Sequence, residues 1–216
     1  MKEMALTILV FYPFLGGLLV WAAGQKNRNL RDYLADFIVI SEFILAVVLF
    51  VRYGAGASVL ADDVRSVSAA GCMGETFLAG NVPGICGFGL HFTLDGFRLI
   101  YAVITSFMWM MTTVISREYM AHHKNSGRFY LFLLLTLGAT MGVFLSADLY
   151  TTFIFFEIMS FTSYVWVAQE ENCASLRAAS TYLAVAVFGG LVMLMGIFVL
   201  YHELGTLTIS ELWQAA

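Results

Sequence analysis

Residues 151–164 read "TTFIFFEIMSFTSY", which sets one carboxylate, Glu157, inside a nearly unbroken run of apolar and aromatic side chains. Followed to its apolar limits the run covers 149–168, about the 20 residues a helix needs to cross a roughly 30 Å hydrocarbon layer. Runs of the same character recur at 4–23, 34–52, 97–116, 129–147 and 179–201. Six such segments in 216 residues that are 60% hydrophobic and 12% charged predict an all-α, polytopic transmembrane bundle and exclude an ordinary soluble domain. The first run is longer than the roughly 7–15 apolar residues of a secretory signal, and Lys2 is offset by Glu3. It therefore reads as a retained helix despite the small residues of "WAAG".

Lys and Arg set the expected orientation. Lys26, Arg28 and Arg31 follow the first run, Arg117, Lys124 and Arg128 follow the third, and Arg177 follows the fifth. These are alternate connections, so the positive-inside rule places them in the cytoplasm, with both termini and the segment 53–96 on the outer side. Lys2, Arg52, Arg65 and Arg98 on that outer side weaken the bias without reversing it. A net charge of −4 with no basic run argues against a nucleic-acid partner; the lipid bilayer is the partner that composition demands. Cys72 and Cys86 fall in the outer segment, where a disulfide is permitted and two free thiols are the alternative; Cys173 falls in an inner connection.

The chain divides into 1–120, three helices with the long loop 53–96, and 121–216, three helices with an amphipathic tail. The loop is rich in Gly, Ala and Ser and predicts a short amphipathic helix around 58–67 and strands near 86–94. Pro13 and Gly16-Gly17 in helix 1 predict a kink or a close-packing surface. Hydroxyls at Thr105, Thr112 and Ser116 in helix 3, and at Thr136 and Thr140 in helix 4, stand at helical spacing, where they bond backbone carbonyls or neighbouring helices or line an ion path. In the tail, Leu204, Leu207, Ile209 and Leu212 alternate with polar residues, and Trp213 suits the interface.

A carboxyl in a hydrocarbon layer is costly and marks a functional position by default. Low dielectric disfavours its charged form and a nearby cation restores it, so such a group can take up and release a proton. Tyr150, Glu157, Ser160 and Tyr164 lie three, four or seven residues apart, on one side of helix 5, and predict a short proton relay with Glu157 at its centre. The structural alternative is a hydrogen bond from a protonated Glu157 to another helix. Glu42, near the middle of helix 2, has Ile38, Val39, Phe43, Leu45 and Ala46 at helical spacing, and a contact role stands beside a transport role. Asp148 reads either as a solvated cap or as an entry or exit point for protons. His91, His122, His123 and His202 lie at helix ends or in loops, so no intramembrane pair ligates haem. The sequence has no phosphate loop, Ser-His-Asp set or Cys-x-x-Cys pair, and no cofactor is expected in this chain. A free-standing membrane enzyme would need a convergent polar site in 53–96, where only scattered acids occur.

Two stretches, "LDGFRLIYAVITSFMWMMTTVISREYM" (94–120) and "GRFYLFLLLTLGATMGVFLSADLYTTFIFFEIMSFTSYVWV" (127–167), carry an ordered set of motifs: Asp95-Gly96, Ser116 to Tyr119, Arg128 to Tyr130, Asp148-Leu149, Phe155 to Glu157 and Ser163-Tyr164. This set resembles the antiporter-like subunits shared by respiratory complex I, Mrp-type sodium/proton antiporters and membrane-bound hydrogenases. The resemblance implies that Glu157 is the helix-5 glutamate whose proton affinity is controlled by a lysine on a later, proline-broken helix. It implies a hetero-oligomer of membrane subunits that moves protons, or sodium, in a prokaryotic inner membrane, with iron–sulfur or nickel centres confined to partner subunits. A full subunit of that kind has about fourteen helices in inverted repeats. The six read here correspond to its front part, and a separate chain packed on helices 4 to 6 is expected to supply the rest. Thr181 stands where the family often has lysine. A non-translocating scaffold subunit of the same kind of complex is the alternative.

Overall fold

The computed structural model of the protein describes residues 2–54, 78–82, 89–120 and 126–215. Among the described residues six long helices are present: α1 (Lys2–Gly24), α2 (Arg28–Leu49), α3 (Gly96–Met120), α4 (Ser126–Leu145), α5 (Leu149–Val167) and α6 (Cys173–Leu204). A short helix, α7 (Ile209–Ala215), follows α6, and α2 runs on into a π-helical turn over Phe50–Gly54. Strands β1 (Leu78–Val82) and β2 (Leu90–Leu94) pair antiparallel, Leu78 opposite Leu94. Among the described residues five helices, α1, α2, α3, α4 and α6, are long and apolar enough to cross a membrane. α5 reaches 19 residues but is less apolar, because Glu157 and its Thr, Ser and Tyr residues interrupt the hydrocarbon side chains. The chain is an all-α, polytopic integral membrane protein. Helices suit that setting because every interior backbone N–H and C=O is bonded within the segment. At 32 residues α6 is about 48 Å long; its polar first turn precedes the apolar run, which is why hydropathy alone starts it at 179.

α4 is the centre of the bundle. It packs on α1, α3 and α5, while α1 also packs on α2, and α2 on α3. Gly16 and Gly17 make the close approach possible. A Cβ on Gly17 would stand 3.2 Å from the Leu131 carbonyl oxygen, and one on Gly16 would stand 2.9 Å from the Ile38 side chain. The pair is a packing surface, and α1 continues as one helix through Pro13. In α4, 56% of the most apolar 18-residue stretch is buried, against 11% in α6. α6 is thus a peripheral helix, attached to the bundle chiefly through α5.

The two ends of the bundle are held by polar contacts. At one end Arg31, 5% exposed, donates to Asp32 Oδ1 from Nε and Nη2 (2.8 and 2.6 Å) and to Ser126 Oγ from Nη1 (2.9 Å), with its guanidinium 5.1 Å from the Tyr130 ring centre. Arg117 pairs with Asp36 at 3.6 Å and Arg128 with Glu171 at 2.6 Å. The structure therefore gathers at this end basic residues that the sequence spreads over separate connections. At the other end Arg98 pairs with Asp95 at 3.0 Å and donates to the Ser146 carbonyl, tying the start of α3 to the α4–α5 turn. Burial holds the Asp95 carboxyl above its ordinary range, against the lowering pull of Arg98. Isolated bridges join Phe92 to Ser146 and Asp148 to Thr208. The tail turns back through Gly205, which closes α6 in the left-handed region (φ 72°) and needs no Cβ there. The expected helix at 58–67 and the Cys72/Cys86 pair lie outside the described residues. β2 falls within the strand region expected near 86–94, but its partner "LAGNV" is too small and glycine-containing to have been read as a strand.

Candidate functional site

Asp148 starts α5 as its N-cap, in extended backbone conformation, with Oδ2 accepting from the Thr151 amide at 3.3 Å. About two and a half turns on, Glu157 faces α6. Gly190 is buried there, and a Cβ on it would overlap Glu157 Oε1 and lie 2.7 Å from its carboxyl carbon. The carboxyl rests directly on the α6 backbone. Its Oε1 is buried without a hydrogen-bond partner, a costly state in a medium that cannot supply water. Beside this seam lies a cleft of about 600 Å³, bounded by Phe156 and Ser160 of α5 and by Thr181, Tyr182, Gly189 and Gly190 of α6. A second cleft of about 400 Å³ is bounded by Tyr164 of α5 and Ser180 of α6.

The structure brings some of the expected residues together and separates others. Glu157 and Ser160 meet at the α5–α6 seam, and Ser160 donates back to the Phe156 carbonyl at 3.0 Å. Tyr164, expected to continue the same polar side, borders the second cleft. Thr136 and Thr140 are buried between α4 and its neighbours. Thr140 donates to the Thr136 carbonyl at 2.7 Å, and Thr136 is bonded at 2.9 Å to Thr162 of α5. The stripe in α3 is corrected in one member: Thr105 and Ser116 are buried with Thr113, while Thr112 is exposed and donates to the Met108 carbonyl. The buried face drifts because α-helical residues seven apart do not superpose. Asp148 belongs to a separate place, a cleft of about 280 Å³ lined also by His91, Thr93 and Thr208. Glu42 is fully buried in α2, among α1–α4. Gly190 and Thr162 were missed in the sequence. The adjacent glycines 189–190 within a long apolar run were the available signal for the first; for Thr162 no signal separates it from other helical hydroxyls.

With this geometry in place, comparison with known proteins is informative. Residues 146–216 match the family model described as "NADH:quinone oxidoreductase/Mrp antiporter, TM". An antiporter subunit of Staphylococcus epidermidis, mnhD2, is 35% identical over 128 residues, 58% of this chain and 25% of the relative. The Na(+)/H(+) antiporter subunit A1 of Staphylococcus aureus is 33% identical over 132 residues, 60% of this chain and 16% of the relative. The chain thus spans about a quarter or less of the length of these relatives. Its fold is found in the Mrp complex from Dietzia sp. (TM-score 0.74, 17% identity, 96% of this chain and 20% of that one). It is also found in an archaeal membrane-bound sulfane sulfur reductase (TM-score 0.72, 21% identity, 96% and 29%). Respiratory complex I from Thermus thermophilus gives a TM-score of 0.69 at 18% identity, with 96% and 38% covered. Family match and relatives agree: over the part of such a subunit that it spans, the chain is similar to the antiporter-like membrane subunits of Mrp antiporters and complex I, and the solved structures share its fold.

Proposed function

We propose that the chain is a cation-translocating subunit of a multisubunit membrane complex and that Glu157 is the group in it that accepts and releases the cation, a proton with sodium as the alternative cargo. The observation that carries this reading is the Glu157 carboxyl on bare α6 backbone at Gly190, one oxygen buried and unpartnered, beside an open cleft. A carboxyl in that setting is stabilised when a proton, a metal cation or a cationic side chain arrives. The apolar outer face of α6, with Phe188, Leu191, Val192, Met195 and Phe198 exposed, suits the packing of further transmembrane helices of such a complex, among them those that carry the controlling lysine. Sequence relatives in bacteria fit a prokaryotic inner membrane as location, with the basic end of the bundle in the cytoplasm. In a redox-driven assembly, iron–sulfur or nickel centres would sit in partner subunits.

The test is Glu157→Gln in the native complex. Assembly is expected to persist, with translocation or antiport reduced by about 10²-fold, the lower end of what a positioned proton-transfer group contributes. Normal coupling in that variant, with assembly lost on deletion of the chain, would leave a scaffold role.

A further inference from the structure

α2 carries a carboxyl that the Glu157 site does not use. Glu42 belongs to the inward stripe Ala35, Ile38, Val39, Glu42, Ala46 and Leu49. It is 0% exposed, and neither of its oxygens has a hydrogen-bond partner. The ion pairs among the described residues leave it out: Arg31, Arg98, Arg117 and Arg128 are taken by Asp32, Asp95, Asp36 and Glu171. Several polar groups on the packed helices are engaged elsewhere, and the buried Tyr130 hydroxyl of α4, itself without a hydrogen-bond partner, lies beside Arg31 at the end of the bundle. On α1, Tyr12 is bonded to Ser41 at 2.7 Å, and Ser41 donates to the Ile38 carbonyl. On α3, Ser106 donates to the Val103 carbonyl and Thr113 to the Trp109 carbonyl. On α4, Thr136 is bonded to Thr162 and to the Phe132 carbonyl.

An ionised carboxylate with neither cation nor donor is what a low-dielectric interior excludes. A neutral acid retained for structure would donate its O–H to a carbonyl or hydroxyl, and Glu42 makes no such bond. We propose that Glu42 is a second proton-binding site, held as a neutral carboxylic acid within the α1–α4 bundle and loaded independently of Glu157 at the α5–α6 seam. The proposal rests on the Glu42 environment and not on the role assigned to Glu157.

N,N′-dicyclohexylcarbodiimide reacts with protonated carboxyls in apolar surroundings, so it reports this state in the wild-type complex in native membranes. The expected result is an adduct on the peptide carrying Glu42, with a yield that falls severalfold as pH is raised and is unchanged in E157Q. A carboxylic-acid carbonyl band present in the infrared spectrum of the wild type and absent from E42Q is the second expected signal. An adduct yield indifferent to pH, an adduct lost in E157Q, or the lack of both adduct and infrared band overturns the proposal.

Discussion

Gly190 and Glu157 constrain one another: the acid reaches the α6 backbone only because position 190 has no side chain, and the missing side chain leaves a carboxyl as its neighbour. Gly190→Ala is therefore expected to push α5 and α6 apart and to cost about 1–3 kcal/mol by overpacking, read as a lower midpoint of thermal unfolding in detergent, with translocation falling although the acid remains. Gly189→Ala is the control, since a Cβ there meets nothing within 4 Å; it is expected to leave both readouts near wild type. Glu157 was legible in the sequence as an acid in hydrocarbon. Its contact with Gly190 was not, because the partner comes from a helix whose rotation about its own axis is set by packing.

At the scale of elements, α5 is a helix with a capped start and a polar middle. Asp148→Ala removes the acceptor for the Thr151 amide and is expected to cost about 1 kcal/mol, visible in the same melt, while the backbone links between 147–149 and 207–209 keep the turn in place. α3 and α4 are tied by the Trp109 indole, which donates to the Leu133 carbonyl at 3.0 Å. Trp109→Phe keeps an aromatic ring and loses this bond, for an expected loss of about 0.5–1.5 kcal/mol. Several motif residues have structural duties that explain their identity. Arg128 reaches across to Glu171, Tyr130 lies under Arg31, and Asp95 holds Arg98 near the α4–α5 turn. Asp95 and Arg98 stand at i,i+3 spacing, but the Arg128–Glu171 and Arg31–Tyr130 contacts were not readable in advance, since each joins residues distant in sequence.

For the whole molecule, the contrast between α4, buried on most sides, and α6, exposed on most of its own, marks the face on which the proposed assembly would continue. A photo-crosslinker placed at Phe188, a residue 72% exposed, is expected to capture a further transmembrane helix of the proposed complex. Adducts with lipid alone would show that this face looks into the bilayer and would remove the proposed completion of the ion path.

Length, apolar runs and the placement of Lys and Arg were enough to determine a polytopic helical membrane protein, because crossing a hydrocarbon layer demands about 20 apolar residues and internally bonded backbone. The ordered motifs from Asp95 to Tyr164 were enough to indicate the resemblance to antiporter-like membrane subunits. Tertiary structure alone decided that Glu157 sits on Gly190, that Ser160 and Tyr164 border different clefts, and that Glu42 is sealed without a partner. The reason is that hydropathy and spacing act along one chain segment, whereas the partners of a buried polar group are fixed by the rotation and crossing of separate helices.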